Sequence, residues 1–151
     1  MAKYLISLDA DETILRTVIS DNKVTQMKAD VVLSEENMAV YFRPYLLEFL
    51  FAFVNDDPTK GPVLSHFELG LFTKGTQAYA DPIIDQMLER LKLQYRLSQT
   101  QVNRLFKARL YREDLNDQDK DLAIYTQKFK INVDNILHVD DLITNFKHQP
   151  K

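Results

Sequence analysis

At 151 residues, 45% of them hydrophobic and 27% charged, this chain has the make-up of an ordinary globular protein, and its length favours one domain over residues 1–151. It contains no cysteine, which excludes disulfide scaffolds, thiolate zinc sites, iron–sulfur clusters and thiol nucleophiles, so any nucleophile is oxygen or nitrogen. The formal charge of −3 argues against dedicated nucleic-acid binding.

Residues 3–8 (KYLISL) form an apolar run that is too short for a signal peptide and ends in acid at Asp9; it reads as a buried strand. Residues 14–20 and 29–33 are rich in β-formers and are expected to make a hairpin or flap. Arg43-Pro44 then opens a helix whose apolar face is Leu46, Leu47, Phe49, Leu50 and Phe53. The stretch 45–54 is apolar but interrupted by Glu48, and it falls well short of the roughly 20 residues that span a bilayer. With no targeting segment in view, the chain reads as soluble, cytoplasmic by default, and without a membrane partner.

Residues 55–62 (NDDPTKGP) carry the marks of a loop, and 66–72 read as a second buried strand running into Thr73-Lys74-Gly75. Helical spacing of Ile83, Ile84, Met87, Leu88 and Leu91 predicts a helix over 80–93, with Asp81 and Pro82 as its start signals. Residues 105–111 alternate as a strand, 119–129 suit a helix, and 135–139 make a third apolar strand running into Asp140-Asp141. This alternation predicts an α/β fold with a mainly parallel sheet, whose functional groups gather at the carboxyl ends of its strands.

Charge is unevenly spread. From Arg90 to Arg112 every charged residue is basic, and the segment reads either as a solvated face or as a surface for an anionic partner. Two of the three apolar strands, by contrast, end in aspartates: Asp9 and Asp11 after the first, Asp140 and Asp141 after the last. Carboxylates gathered at one sheet edge repel, and an all-oxygen set favours Mg²⁺ as the counter-charge. A calcium-binding EF-hand loop starting at Asp9 is excluded, because Ile14 and Ser20 stand where that loop wants Gly and Glu.

Six segments in order, 8–15 (LDADETIL), 41–50 (YFRPYLLEFL), 71–82 (LFTKGTQAYADP), 106–114 (FKARLYRED), 120–122 (KDL) and 136–141 (ILHVDD), resemble the haloacid dehalogenase superfamily. Within it the resemblance is to the small phosphatases of the RNA polymerase II tail-phosphatase type. It implies a Rossmann-like fold with a flap after the first strand, and hydrolysis of phosphomonoesters through an aspartyl-phosphate. By the same resemblance Asp9 is the nucleophile and Asp11 the general acid and base. Thr73 and Lys120 bind the phosphoryl group. Lys74 stands where the relatives commonly carry a small residue, and it either adds a positive charge at that pocket or points into solvent. Mg²⁺ is held by Asp9, the main-chain carbonyl of Asp11, and the pair Asp140 and Asp141, with Asp141 in the inner shell.

The chemistry wants two carboxylates of this kind: splitting hydrolysis into two steps needs a nucleophile, and its neighbour must change protonation state between them. Two departures from the relatives stand out. Only ten residues follow Asp141, where relatives continue with a strand and a helix, which suggests a trimmed C-terminus, and residues 93–117 do not repeat their substrate-reading insertion. The segment lengths leave no room for a large cap domain. An open site suits a phosphorylated side chain on a protein or peptide, phosphotyrosine or phosphoserine/threonine. The rival readings are a phosphatase for small molecules or nucleic-acid ends, and a catalytically silent phosphate-fold binding module. The sequence specifies no oligomeric state.

Overall fold

The computed structural model describes residues 3–20, 22, 26–54, 66–115 and 120–142. Its frame is a four-stranded sheet built from β1 (Tyr4–Leu8), β5 (Phe67–Phe72), β6 (Phe106–Leu110) and β7 (Ile136–Val139) in the order β6-β5-β1-β7, with every neighbouring pair parallel. Parallel strands need crossovers, and these are helical: α1 (Leu46–Ala52), α2 (Gln77–Tyr95) and α3 (Gln99–Asn103) lead into or out of β5 and β6, and α4 (Ala123–Phe129) leads to β7. The α/β architecture expected from the sequence is therefore the one observed.

Both sheet faces are covered. On one side Leu8, Leu69 and Leu71 pack with Ile83, Ile84, Met87 and Leu91 of α2, Leu46 and Leu50 of α1 and Val102 of α3. On the other, Leu5, Phe72, Ala108 and Leu110 pack with Leu122, Ile124 and Tyr125. Alternation along β1 sends Leu5 and Ser7 to one core, and Leu8 to the other.

The flap differs in detail from the expected hairpin. Strands β2 (Leu15–Ile19) and β3 (Val31–Leu33) do not pair with each other; both pair antiparallel with β4 (Met38–Phe42) in the order β2-β4-β3. The described residues contain no cap domain, and none of their helices is long and apolar enough to cross a membrane.

Two boundaries moved, and one apolar face is narrower than expected. Helix α2 starts at Gln77, not at Ala80, because Thr76 caps it: the Thr76 side chain accepts from the Tyr79 N–H, and Pro82 lies inside the helix. Lys120 falls before α4, in the turn from which Ile124 N donates to the carbonyl of Asp121. The apolar face assigned to α1 is narrower than its sequence suggests, with Leu46 and Leu50 buried and Phe49 40% exposed. The loop expected over 55–62 lies outside the described residues.

Candidate active site

The first aspartates sit in a tight turn at the carboxyl end of β1. The amides of Thr13, Ile14 and Leu15 all donate to the Ala10 carbonyl, and Glu12 takes the left-handed conformation (φ 63°) that closes the turn. Arg43 clamps this turn from outside: its Nε donates to the Thr13 carbonyl at 2.5 Å and its guanidinium to that of Glu12 at 2.7 Å. Asp9 and Asp11 leave this turn to different hydrogen-bond partners.

Asp9 is 6% exposed. Its Oδ1 accepts from the Lys120 ammonium at 2.7 Å and its Oδ2 from the Thr13 hydroxyl at 3.0 Å. Lys120, itself 1% exposed, also donates to Asp140 Oδ2, so one buried cation joins the end of β1 to the end of β7. Asp140 accepts further from His138 Nε2 and, on Oδ1, from the Leu142 N–H. Burial pushes the Asp9 carboxyl up, with Lys120 opposing it and Asp140 and Asp141 adding to it. For Asp140 burial is outweighed by the donors from His138, Lys120 and Leu142, and its carboxyl is held well below the usual range.

Asp11 leans the other way. Its Oδ1 accepts from the Tyr79 hydroxyl at 3.0 Å and from that of Thr17 at 3.4 Å, and these two hydroxyls lie 2.9 Å apart. Tyr79 comes from the first turn of α2 and passes close over Gly75, where an added Cβ would stand 2.8 Å from its ring. Thr73, 1% exposed at the end of β5, accepts the Gly75 N–H on its hydroxyl, which shapes the turn between strand and helix. Lys74 follows, half-buried, with its carbonyl taken by Arg112 Nε at 2.7 Å.

These groups line two adjoining hollows. One, of about 260 Å³, is walled by Asp9, Thr73, Lys120 and Asp141, and the other, of about 380 Å³, by Thr76, Tyr79 and Arg112; Asp11, Lys74 and Gly75 form the shared rim. All seven residues singled out from the sequence, Asp9, Asp11, Thr73, Lys74, Lys120, Asp140 and Asp141, thus lie at one edge of the sheet. Carboxylate oxygens of Asp9, Asp140 and Asp141 fall within 4.8 Å of one another. Three hard, anionic oxygen donors this close fit a small divalent cation such as Mg²⁺. The carboxylate of Asp11 is not in that group, and both oxygens of Asp140 already accept protein donors.

Sequence reading passed over Tyr79 and Thr17. Tyr79 was hidden by placing the helix start at Ala80, although Thr76, three residues earlier, is a capping residue that carries the right signal. Part of the basic segment faces the site and the rest does not. A helix of 19 residues runs about 28 Å, so α2 carries Arg96 to the far end of the sheet from the site, and Arg104 lies there too, just before β6. Arg90 and Arg109 are paired with Asp30 and Asp81 respectively, and among the segment's cations Arg112 is the one that lines the hollows.

A four-stranded parallel sheet with its acidic turns, a buried lysine and a threonine at its carboxyl edge defines a phosphatase of the haloacid dehalogenase type. The family model for NLI interacting factor-like phosphatases matches residues 4–151, and the chain belongs to that family. Among solved structures the chain is similar to Fcp1, an essential RNA polymerase II CTD phosphatase, at 18% identity and a TM-score of 0.58, over 93% of this chain and 38% of that one. It is also similar to a fission yeast Fcp1 variant bound to beryllium fluoride, at 17% identity and a TM-score of 0.53, over 95% of this chain and 38% of that one. The chain thus spans well under half the length of the solved chains it matches. Comparison by sequence with curated proteins finds no match.

Proposed function

We propose that this chain is a Mg²⁺-dependent phosphomonoester hydrolase that acts on phosphorylated side chains of proteins through an aspartyl-phosphate on Asp9. The observation that carries this reading is Lys120, buried and donating to both Asp9 and Asp140, at a hollow that Thr73 and Asp11 also line. A loose phosphoryl-transfer transition state is stabilised mainly by position and charge, and these groups supply both.

In the first step an Asp9 oxygen attacks phosphorus while the bond to the leaving oxygen breaks, and Asp11 gives that oxygen its proton. In the second, Asp11 takes a proton from water, the resulting hydroxide attacks phosphorus, and the bond to Asp9 breaks to release phosphate. Lys120 and the Thr73 hydroxyl face the charge on the transferred group in both steps. Mg²⁺ held by Asp9 and Asp141, with the Asp11 carbonyl, would add a Lewis acid opposite that charge. Asp140 serves by holding Lys120.

The hollow beyond Asp11 supports the protein-substrate reading: it shares Asp11, Lys74 and Gly75 with the phosphate pocket and is also bordered by Arg112, so residues flanking the phosphoryl group have space beside cationic side chains. The test is a panel of phosphoserine, phosphothreonine and phosphotyrosine peptides beside small phosphate esters, with Mg²⁺ and with chelator. Turnover of peptides only with Mg²⁺, and a covalent phosphoryl adduct on wild type that Asp9→Asn lacks, is the expected result. Full activity in chelator, or in folded Asp9→Asn, would overturn it.

A further inference from the structure

The site is fastened from beneath by a second set of buried polar groups. Across the sheet, Ser7 of β1 stands in register with Gly70 of β5 and His138 of β7, and Gly70 with Ala108 of β6. Three small side chains in a row leave a trough on that face, and α4 drops Tyr125 into it. Tyr125 is fully buried, with its hydroxyl 2.6 Å from Ser7 Oγ. Gly70 is part of the fit, since a Cβ there would lie 3.1 Å from that hydroxyl oxygen. The ring of Phe72 packs edge-on against both Tyr125 and His138.

His138 continues the line towards the site. Its Nδ1 lies 2.8 Å from Ser7 Oγ and its Nε2 3.0 Å from Asp140 Oδ2, with the histidine and aspartate side chains 2% and 0% exposed. Donor and acceptor roles follow from what each group can do. A carboxylate only accepts, so Nε2 carries a proton. Tyr125, buried against Ser7, satisfies its hydroxyl hydrogen by donating to Ser7 Oγ. Ser7 then gives its own hydrogen to Nδ1. The order is Tyr125 to Ser7 to His138 to Asp140, and Asp140 is the acceptor that Lys120 shares with Asp9.

We infer that His138 is a positioning residue: held by Ser7 and Tyr125, it fixes the Asp140 carboxylate and thereby places the Lys120 ammonium against Asp9. This rests on the reading of Lys120 as the group that meets the transferring phosphoryl charge. A lysine is a point charge on a flexible four-carbon stem and needs such a fixed acceptor. Where a misplacement on the order of 1 Å costs about 10²-fold in rate, the acceptor's own orientation matters. The members of the line are scattered from residue 7 to residue 140, and they meet through strand register, the placement of α4 and the turn after β7.

The experiment compares His138→Leu, which removes both contacts at similar bulk, with His138→Gln, which keeps a donor for Asp140, and with Tyr125→Phe. With folding checked by circular dichroism, His138→Leu should lose on the order of 10²-fold in kcat on a phosphopeptide with KM nearly unchanged. His138→Gln should recover most of that loss, and Tyr125→Phe should show a smaller one. Unchanged kcat in His138→Leu, or equal losses in the leucine and glutamine variants, would overturn the proposal. Two spectra decide it independently of activity, even if the chain hydrolyses no phosphomonoester or the leucine variant does not fold. Imidazole ¹⁵N spectra of the wild type should show the His138 proton on Nε2 with Nδ1 bare, and the slowly exchanging Lys120 ammonium signal should persist in His138→Gln. A proton on Nδ1 with Nε2 bare, or loss of the ammonium signal in folded His138→Gln, would sink it.

Discussion

Tyr79 and Asp11, 68 residues apart in the chain, are joined by a hydrogen bond of 3.0 Å from the phenol to the carboxylate. This contact draws Asp11 towards the flap and away from the cluster of Asp9, Asp140 and Asp141. Two carboxylates that leave the same turn are thereby given separate surroundings: one sits on a buried ammonium, the other on two hydroxyls at the rim of an open hollow.

If Asp11 protonates the leaving oxygen, losing its anchor matters most where the leaving group needs that proton. Tyr79→Phe should lower kcat about tenfold or more on an alkyl phosphate such as a phosphoserine peptide, within the range that general acid catalysis contributes. The loss on an aryl phosphate with a good leaving group should be much smaller. Steady-state rates on the two substrates check this, and equal losses would cut the link between Tyr79 and proton transfer.

Burial, against the opposing pull of Lys120, pushes the Asp9 carboxyl up from 3.8 to about 6. In the metal-free protein that group therefore favours the folded state at acid pH, and the contribution fades as pH rises from about 4 through about 6. Mg²⁺ needs the ionised carboxylate, so its dependence has the opposite sign: affinity should weaken as pH falls through about 6, with protons released on binding in that range. Calorimetry in buffers of different ionisation enthalpy measures the release, and the rise in Tm given by Mg²⁺ should be larger at pH 7.5 than at pH 5.

Lys120→Met removes a buried cation from between two carboxylates. Breaking a buried ion pair by deleting one partner typically costs about 3–5 kcal/mol, and here Asp9 and Asp140 would face each other uncompensated. Chemical denaturation should show a loss of that order without metal. Mg²⁺ should restore part of it, because the ion brings charge to the same oxygens. A variant as stable as wild type in chelator would contradict this account of the site.

Lys74 and Arg112 border the open hollow, whereas Arg96 and Arg104 lie at the opposite end of the sheet. Lys74→Ala should raise KM several-fold for a phosphopeptide with acidic neighbours, and the effect should shrink as salt screens charges beyond roughly 8 Å. Changing Arg96 and Arg104 together to Gln should leave kcat/KM for the same peptide unaltered. Kinetics at two ionic strengths separate the two cases.

The acidic turns, the strand-end threonine and the order of strands and helices were legible in the sequence because each is a local pattern. Apolar runs bounded by Asp9, Thr73 and Asp140 specify strands whose ends carry chemistry, and a parallel sheet brings such ends to one edge whatever the details of the loops between them. What could not be read there depends on which side chains meet across elements. The flap's strand order turns on β4 lying between its neighbours. Which part of the basic segment reaches the site turns on the direction in which α2 runs back along the sheet. His138 meets Ser7 by register and Asp140 by the turn that follows, and only the assembled sheet makes it a link between a buried tyrosine and the lysine of the site. Period and turn chemistry are properties of neighbours along the chain, whereas hydrogen-bond partners in a core are set by register and helix placement, which many distant residues decide together.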